Sequence, residues 1–313
     1  MSMRLKKFGL ITSGLFALFL ASSVPVHAQA TRTWVSGVGD DANPCSRTAP
    51  CKTFAGAISK TAAAGEINVL DPGGFGAVTI TKSITISSEG FEAGVLASGT
   101  NGIVINAAAT DVVVLRGLDI EGIGTGLNGI RFLAGGQLHV ENCIINNFQK
   151  GIDVQNTGAS QLFVKDSTIR NNDAAAPNGG GIHLRPAAGA TMNALIDNVR
   201  LEHNQFGLFV GDNASATVSR SVATGNVGAG FAAVSTGSPA VLNLTDSVST
   251  FNISGIVANG AAALIRLNNN VFTQNVVGIN IVSGGVVSSF ANNKNRGNTS
   301  DGAPNGPALT PLQ

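Results

Sequence analysis

The chain has 313 residues, of which 43% are hydrophobic and 12% are charged, and its formal net charge is +1. Forty glycines, a single tryptophan and no tyrosine distinguish it from an ordinary globular enzyme of this size. So hydrophobic a chain with so little charge excludes intrinsic disorder, which requires low hydrophobicity and high net charge. The near-neutral balance without a basic stripe also argues against a nucleic-acid partner.

Residues 1–30 have the three parts of a secretory signal peptide: a basic start, an apolar stretch and the small-residue site Ala28-Gln29-Ala30. No later stretch reaches the ~20 uncharged apolar residues of a membrane helix. We therefore expect a secreted or periplasmic chain that begins near Thr31 and has no membrane span. Without the signal peptide, 16 basic and 18 acidic residues remain, giving a net charge of −2.

Residues 31–65 are predicted to form an N-terminal cap. Cys45 and Cys51 lie on either side of a proline-containing loop, and in an exported chain this arrangement favours a local disulfide. A metal site is the alternative for this pair, but zinc sites usually need four ligands. Cys143 has no evident partner, and we interpret it as a buried, inert thiol. No metal ligand set is predicted.

Residues 66–299 repeat a phrase in which an asparagine is followed within a few residues by a glycine and a large apolar residue. The glycines recur every 22 to 30 residues, which is the signature of a solenoid. They are Gly102, Gly129, Gly151, Gly181, Gly207, Gly230, Gly255 and Gly278. The runs that follow them alternate in hydrophobicity like short strands, not helices.

The residues one and three positions after each glycine are almost all apolar, as at Ile152 and Ile182. If successive coils stack as parallel strands, these positions form continuous aliphatic columns inside a tube. The asparagines would form another column at a corner, where each can donate and accept hydrogen bonds along the stack. This column comprises Asn172, Asn204, Asn226, Asn252 and Asn275. The following glycine is expected to allow a positive φ at the turn.

With these repeats, the chain resembles the right-handed parallel β-helix, or pectate-lyase-like, superfamily. The resemblance covers roughly residues 66–298 and implies an all-β, single-stranded right-handed parallel β-helix of about ten coils at ~4.8 Å each. Many exported members also open with a strand, a loop and a short amphipathic helix, which would cover the end of the tube and protect the edge of the first strand. The face of that helix would comprise Phe54, Ala55 and Ile58. The polar, Pro- and Gly-rich tail, residues 300–313, is predicted to be disordered.

The candidate site lies at outward positions on the strands that follow the glycines. Two and four positions after the glycine, polar side chains occur on three successive coils, close enough to act together. The catalytic candidates are Arg131, Asp153, His183 and Arg185, and the substrate-binding candidates are Gln155 and Phe209. An arginine beside a carboxylate and a histidine could neutralise a uronate and move a proton. The insertion at residues 173–180 precedes the strand of His183, and insertions in solenoids often decorate the binding face.

A purely structural interpretation competes with this site. On another strand, the equivalent outward residues alternate in charge without indicating a site, and opposite charges on neighbouring coils simply stabilise a parallel stack. These residues are Arg116, Glu141, Lys165 and Asp197. Pectate-lyase-like relatives gather several acidic residues around calcium, whereas Asp153 is the only acidic residue in the two outward columns. We therefore expect no cofactor, and calcium only if the chain is a lyase.

Taken together, these patterns predict an exported β-helix protein, non-catalytic or catalytically degenerate, that binds or organises extracellular polysaccharide or cell-surface partners. The first alternative is a polysaccharide lyase or glycoside hydrolase acting on an acidic glycan. The second alternative is a purely structural surface protein. The scarcity of acidic and aromatic side chains at the candidate site favours the binding function over the enzymatic one.

Overall fold

The computed structural model describes residues 29–174 and 179–310. Its chain winds into a parallel β-solenoid in which each coil contributes strands to three faces, called A, B and C in chain order. The solenoid makes about nine turns, close to the ten expected, and the predicted all-β fold is confirmed. The predicted signal peptide lies outside the described residues except for its last two positions. Within the described ranges, no helix is long and apolar enough to cross a membrane.

Face A is a sheet of eleven parallel strands that neighbour one another in chain order. These strands are Ala30–Val35, Thr61–Val69, Ile84–Ser87, Val112–Arg116, Gln137–Glu141, Ala159–Lys165, Thr191–Asp197, Ala214–Ser219, Ala240–Thr245, Ala263–Asn268 and Val286–Ser289.

Faces B and C are joined by two long strands, Asp119–Ala134 and Ile144–Val154, which run through the corner between them. The other strands of face B are Gly73–Gly74, Ala93–Leu96, Thr168–Arg170, Arg200–Glu202, Val222–Thr224, Val248–Thr250, Val271–Thr273 and Lys294–Asn295. The other strands of face C are Val78–Ile80, Ile103–Asn106, Gly180–Leu184, Leu208–Val210, Ala229–Val234, Ser254–Asn259 and Val277–Val282.

Equivalent residues of successive coils lie directly above one another. Ile152 pairs with Ile130 in the preceding coil and with Ile182 in the following one. All three side chains are fully buried, as the aliphatic columns require. The core is therefore the interior of the tube, and the alternate residues of each strand point outwards.

The predicted asparagine column holds the corner between faces B and C. Its five members are buried, and the side chain of each hydrogen-bonds to a neighbouring coil. For example, the side-chain oxygen of Asn275 accepts hydrogen bonds from the backbone and side-chain N–H groups of Asn252, both at 3.0 Å. Asn298, which was not predicted, extends the column by one coil. The column thus satisfies the backbone of a buried corner.

The predicted reason for the repeated glycine was wrong. None of the eight glycines has a positive φ; that conformation belongs to the residue before the asparagine, as at Asn171 (φ 55°) and Gln274 (φ 56°). A Cβ on Gly207 would lie 2.4 Å from the carbonyl oxygen of Gly230, and one on Gly255 would meet the next coil at 2.5 Å. Glycine is needed because adjacent coils approach too closely for any side chain.

The N-terminal cap contains the predicted disulfide between Cys45 and Cys51. The disulfide loop lies against the outer edge of the first strand, where the backbone of Trp34 donates to Cys45 and accepts from Cys51, both at 2.9 Å. This loop therefore protects the strand edge that the cap helix was expected to protect.

The cap helix is Phe54–Lys60, and the hydroxyl of Thr53 caps its N-terminus by accepting from the backbone N–H of Gly56 at 2.9 Å. Phe54 and Ala57 are buried and Ile58 packs against the core. Ala55 is exposed, so its predicted place on the buried face was wrong. A helix of 3.6 residues per turn places positions i, i+3 and i+4 on one face, and i+1 lies off it.

The segment predicted to be a disordered tail is hydrogen-bonded to the last coil as far as it is described. The backbone N–H groups of Gly306 and Leu309 donate to Val287 and Ser289, both at 2.9 Å. The side chain of Asn305 accepts from the N–H of Val287 at 2.9 Å. The segment thereby covers the open edge of the last strand of face A.

Candidate functional site

The structure brings the predicted site residues together on neighbouring strands of face C. Asp153 pairs with Arg131 in the preceding coil and with His183 in the following one. Phe209 stands opposite His183 one coil further on. Gln155 links the first two coils, because its Nε2 donates to Asp153 Oδ2 at 3.1 Å and its Oε1 accepts from Arg131 at 3.4 Å.

Burial differs sharply within this group. Although both point away from the tube interior, Asp153 is 1% exposed and His183 is 0% exposed. His183 Nε2 lies 2.8 Å from the carbonyl oxygen of Gly179, and its ring stacks on that of Phe209 with centroids 5.1 Å apart. Phe206 contacts the same ring edge-on. Arg131, Gln155, Arg185 and Phe209 are each half-buried and reach the surface.

Two site residues escaped the sequence analysis. Lys150 places its Nζ 3.4 Å from Asp153 Oδ1, with only 15% of its side chain exposed. Phe206 packs against His183 and Phe209. Both residues immediately precede a repeat glycine, whereas the site was predicted from the positions that follow it. A search of the positions before each glycine would have found them.

Positive charge predominates around Asp153. Lys150 forms an ion pair with it, Arg131 lies opposite it in the preceding coil, and the positive charge of Arg185 interacts with it as well. The guanidinium carbon of Arg185 also lies 4.5 Å from the centre of the Phe209 ring, in a cation–π contact. Two cations therefore interact with one carboxylate, and a third, Arg131, lies one coil away.

His183 is neutral at physiological pH. Burial lowers its pKa to about 3, and the positive charges of Arg185 and Lys150 act in the same direction. Because a neutral imidazole carries one N–H, donation from Nε2 to Gly179 leaves Nδ1 as a hydrogen-bond acceptor.

Three buried polar atoms of this site have no hydrogen-bond partner in the described part of the chain: Arg131 Nε, Asp153 Oδ1 and His183 Nδ1. They belong to residues that pair directly across three coils. The charge of Lys150, 3.4 Å from Asp153 Oδ1, compensates one of them. Such atoms are rare in folded proteins, since each costs about 1–3 kcal/mol unless something else satisfies it.

The charged column on face A is arranged differently. Arg116 pairs with Glu141 at 2.9 Å, and Arg220 pairs with Asp197. These are conventional ion pairs whose arginines are substantially exposed, and each cation has its own carboxylate. Face C differs from this arrangement, because its cations outnumber its carboxylates and because Asp153 and His183 are buried.

The residues of face C do not fit a calcium site. Within the described residues, no group of three or more His, Cys, Asp or Glu side chains could hold a metal ion. Asp153 is a single carboxylate among cations, whereas calcium takes six to eight oxygen ligands.

Residues 77–246 match the family described as the right handed beta helix region. This match spans more than half of the chain, and the protein therefore belongs to that family. Among solved structures, the chain is similar to the pectate lyase Pel9A, with 17% identity and a TM-score of 0.57 over 90% of this chain and 82% of the other. A GH136 lacto-N-biosidase from Eubacterium ramulus aligns with 10% identity and a TM-score of 0.42 over 86% of this chain and 66% of the other. No curated protein matches the chain.

Proposed function

We propose that this protein binds an acidic polysaccharide on face C, through the surface formed by Arg131, Lys150, Gln155, Arg185 and Phe209. The observation that carries the proposal is the excess of cations at this place: Lys150 and Arg185 both interact with the single carboxylate of Asp153, and Arg131 lies beside it in the preceding coil. A partly buried excess of positive charge favours an anionic ligand, and arginine can bind a sugar carboxylate with two parallel hydrogen bonds. The pectate lyase among the structural neighbours is consistent with this ligand class.

The side chains that reach the surface support the same ligand. The guanidinium of Arg131 and the amide of Gln155, which are half-buried neighbours, could both donate to sugar oxygens. Phe209 would offer an apolar contact to the sugar ring beside them. The disulfide in the cap supports a secreted or periplasmic location, where such polysaccharides occur.

Binding is best tested with immobilised polygalacturonate against an uncharged glucan. We expect polygalacturonate to bind preferentially and its affinity to fall with salt. Arg131→Gln and Arg185→Gln should each weaken binding by about tenfold or more, because a charge-assisted hydrogen bond contributes about 1.5–3 kcal/mol. Arg116→Gln on face A is the matched control and should bind like the wild type. Equal binding of both glycans, or an equal loss in the control, would refute the proposal, and no binding to any glycan would favour the structural alternative.

A second candidate is a lyase or hydrolase on an acidic glycan, with Arg131, Asp153, His183 and Arg185 as its catalytic residues. The observation that favours it is that Asp153 and His183 pair directly across two coils and that His183 Nδ1 has no hydrogen-bond partner among the described residues. The low pKa of His183 makes it a weak base near neutral pH.

Asp153→Asn separates the two candidates. If the site only binds, loss of its one negative charge should strengthen polygalacturonate binding. If the site is catalytic, the variant should still bind but lose turnover, measured as new reducing ends or unsaturated uronates with and without calcium. Turnover that persists in Asp153→Asn would exclude this residue from catalysis.

A further inference from the structure

The first coils of face C hold a cleft beside the surface proposed to bind the glycan. Its volume is about 450 Å³, within the range of about 300–1,000 Å³ that is typical of small-molecule sites. One wall is the cap helix, which contributes Ala55 and Ile58. The rest of the lining comes from the first two strands of face C and the turn between them, and it includes Thr79, Thr100, Asn101 and Val104.

The chemistry of this lining suits a sugar ring. None of the described residues that form it is charged. Hydroxyl groups of Thr79 and Thr100 and the amide of Asn101 stand beside the aliphatic side chains of Ile58 and Val104. A sugar ring presents the same combination of hydroxyl groups on a carbon skeleton, and protein hydroxyls and amides can both donate to it and accept from it. A charged group would find no counter-ion in this lining.

The cleft and the cationic surface belong to the same outward columns of face C. Val104, which lines the cleft, pairs directly with Arg131 in the next coil. In the parallel column, Asn101 Oδ1 accepts from Asn128 Nδ2 at 2.7 Å, and Asn128 pairs with Lys150 one coil further on. The cleft therefore continues the cationic surface without an intervening coil.

The cap helix closes this end of face C. Val78–Ile80 is the first strand of the face in the described part of the chain. At the start of the helix, the backbone N–H of Phe54 donates to the carbonyl oxygen of Phe75 at 3.0 Å. Near its end, the carbonyl oxygen of Ile58 accepts from Lys82 Nζ at 2.9 Å. Because Phe75 and Lys82 lie on either side of the strand, the helix is fixed alongside it, and a linear ligand that follows the columns meets the helix there.

We propose that this cleft receives the terminal sugar of the acidic polysaccharide, so that the protein binds the end of a glycan chain and not its interior. The inference rests on the function proposed above and adds where the bound chain stops. The terminal ring lies between the helix and Val104, and the sugars that follow it bring their carboxylates to Arg131 and Arg185. From Thr79 to Phe209 the columns rise by five coils, or about 24 Å at ~4.8 Å each, which accommodates several sugar units.

Calorimetric titration with polygalacturonate fractions of increasing mean length tests the proposal. A protein that binds chain ends should bind in a constant ratio of one molecule per chain, because each chain has a single end of the correct polarity. A protein that binds chain interiors should bind in a ratio that grows with length. Among short oligogalacturonides, the affinity should rise with length and level off once the chain spans about 24 Å.

Two variants block the cleft from exposed positions. Ala55→Trp on the helix and Thr79→Phe on the first strand each place a large ring in it, and each should weaken oligogalacturonide binding by about tenfold. Ala63→Trp is the matched control, since Ala63 is an exposed alanine in the strand that follows the helix and lies outside the lining. It should bind like the wild type. All three variants should melt within a few degrees of the wild type, because none alters a buried side chain.

A binding ratio that grows in proportion to chain length would overturn this proposal while leaving glycan binding at face C intact. Unchanged binding in both cleft variants would overturn it in the same way, as would an equal loss in Ala63→Trp. If no polygalacturonate fraction binds to the wild-type protein, the function proposed above fails together with this inference. The two failures are therefore distinguishable.

Discussion

Asn252 accepts two hydrogen bonds from Asn226 of the preceding coil, one from the backbone N–H at 2.9 Å and one from the side-chain amide at 2.8 Å. Its own side-chain amide donates to the backbone carbonyl oxygen of Ala223 at 3.1 Å and to the side-chain oxygen of Asn275 at 3.0 Å. One buried side chain therefore connects three coils at the corner between faces B and C.

Asn252→Ala should lower the free energy of unfolding by about 3 kcal/mol, because it leaves buried N–H groups of Asn226 without an acceptor. Urea denaturation measures this loss. Asn193→Ala removes an exposed amide from face A and should change stability by less than about 0.5 kcal/mol. Similar losses in both variants would show that the buried column does not stabilise the corner.

Gly255→Ala should destabilise the protein by about 2–4 kcal/mol, because its Cβ would lie 2.5 Å from the carbonyl oxygen of Gly278. Gly158→Ala is the control, since a Cβ there meets nothing within 4 Å. That variant should be neutral or slightly more stable, as alanine restricts the unfolded chain. Thermal unfolding of both proteins makes the comparison, and a tolerated alanine at Gly255 would contradict the steric role of the repeat glycine.

Acid should destabilise the protein through His183. Its pKa is about 3 in the folded protein against 6.5 for an ordinary histidine, so between these values only the unfolded chain binds the proton. The contribution of His183 to the free energy of unfolding is complete above pH 6.5. It declines on acidification by about 1.4 kcal/mol per pH unit. The stability difference between wild type and His183→Gln should therefore shrink as the pH falls through this window. A stability difference that stays constant across this window would contradict the burial of a neutral ring.

Cys143 should resist alkylation in the folded protein. It is 1% exposed, and burial raises the pKa of its thiol to about 11, so neither access nor thiolate is available. It occupies a corner column that holds Ser167 in the next coil, whose hydroxyl accepts from the Cys143 N–H at 3.1 Å. Cys143→Ser should therefore keep stability within about 1 kcal/mol, whereas Cys143→Leu should lose more than about 2 kcal/mol through overpacking. Mass spectrometry after iodoacetamide treatment, with and without urea, tests the first expectation, and denaturation tests the second.

The tube could be predicted from the sequence because its coils repeat one chemical pattern. Ile152 and Ile182 had to share a column if coils stacked, and each asparagine had to find a partner in a buried corner. The role of the glycine could not be predicted, because glycine serves equally where the backbone needs a positive φ and where a neighbouring chain leaves no space. The φ angles of the repeat glycines and the close approach of Gly207 to Gly230 distinguish the two.

The grouping of Arg131, Asp153 and His183 followed from register alone, which a repeat length supplies. The burial of Asp153 and His183 did not follow from the register. It depends on side chains such as Phe206, which lies in a turn and covers the outer face of the sheet. Alternation predicts whether a residue points into or out of the tube, but not what covers it on the outside. For the same reason, the ion pair between Lys150 and Asp153 was not expected, because Lys150 precedes the repeat glycine and lies outside the alternating positions that follow it.

The column of buried asparagines has a consequence for how such a protein can change in length. Each asparagine offers its neighbour the same donors and acceptor, so the column has no built-in end, and gain or loss of one whole coil would preserve every bond along it. A duplication of part of a coil would instead shift donors away from acceptors. The solenoid can therefore lengthen or shorten by whole coils. The parts that must be kept are those that close its two ends, namely the disulfide loop and the C-terminal segment.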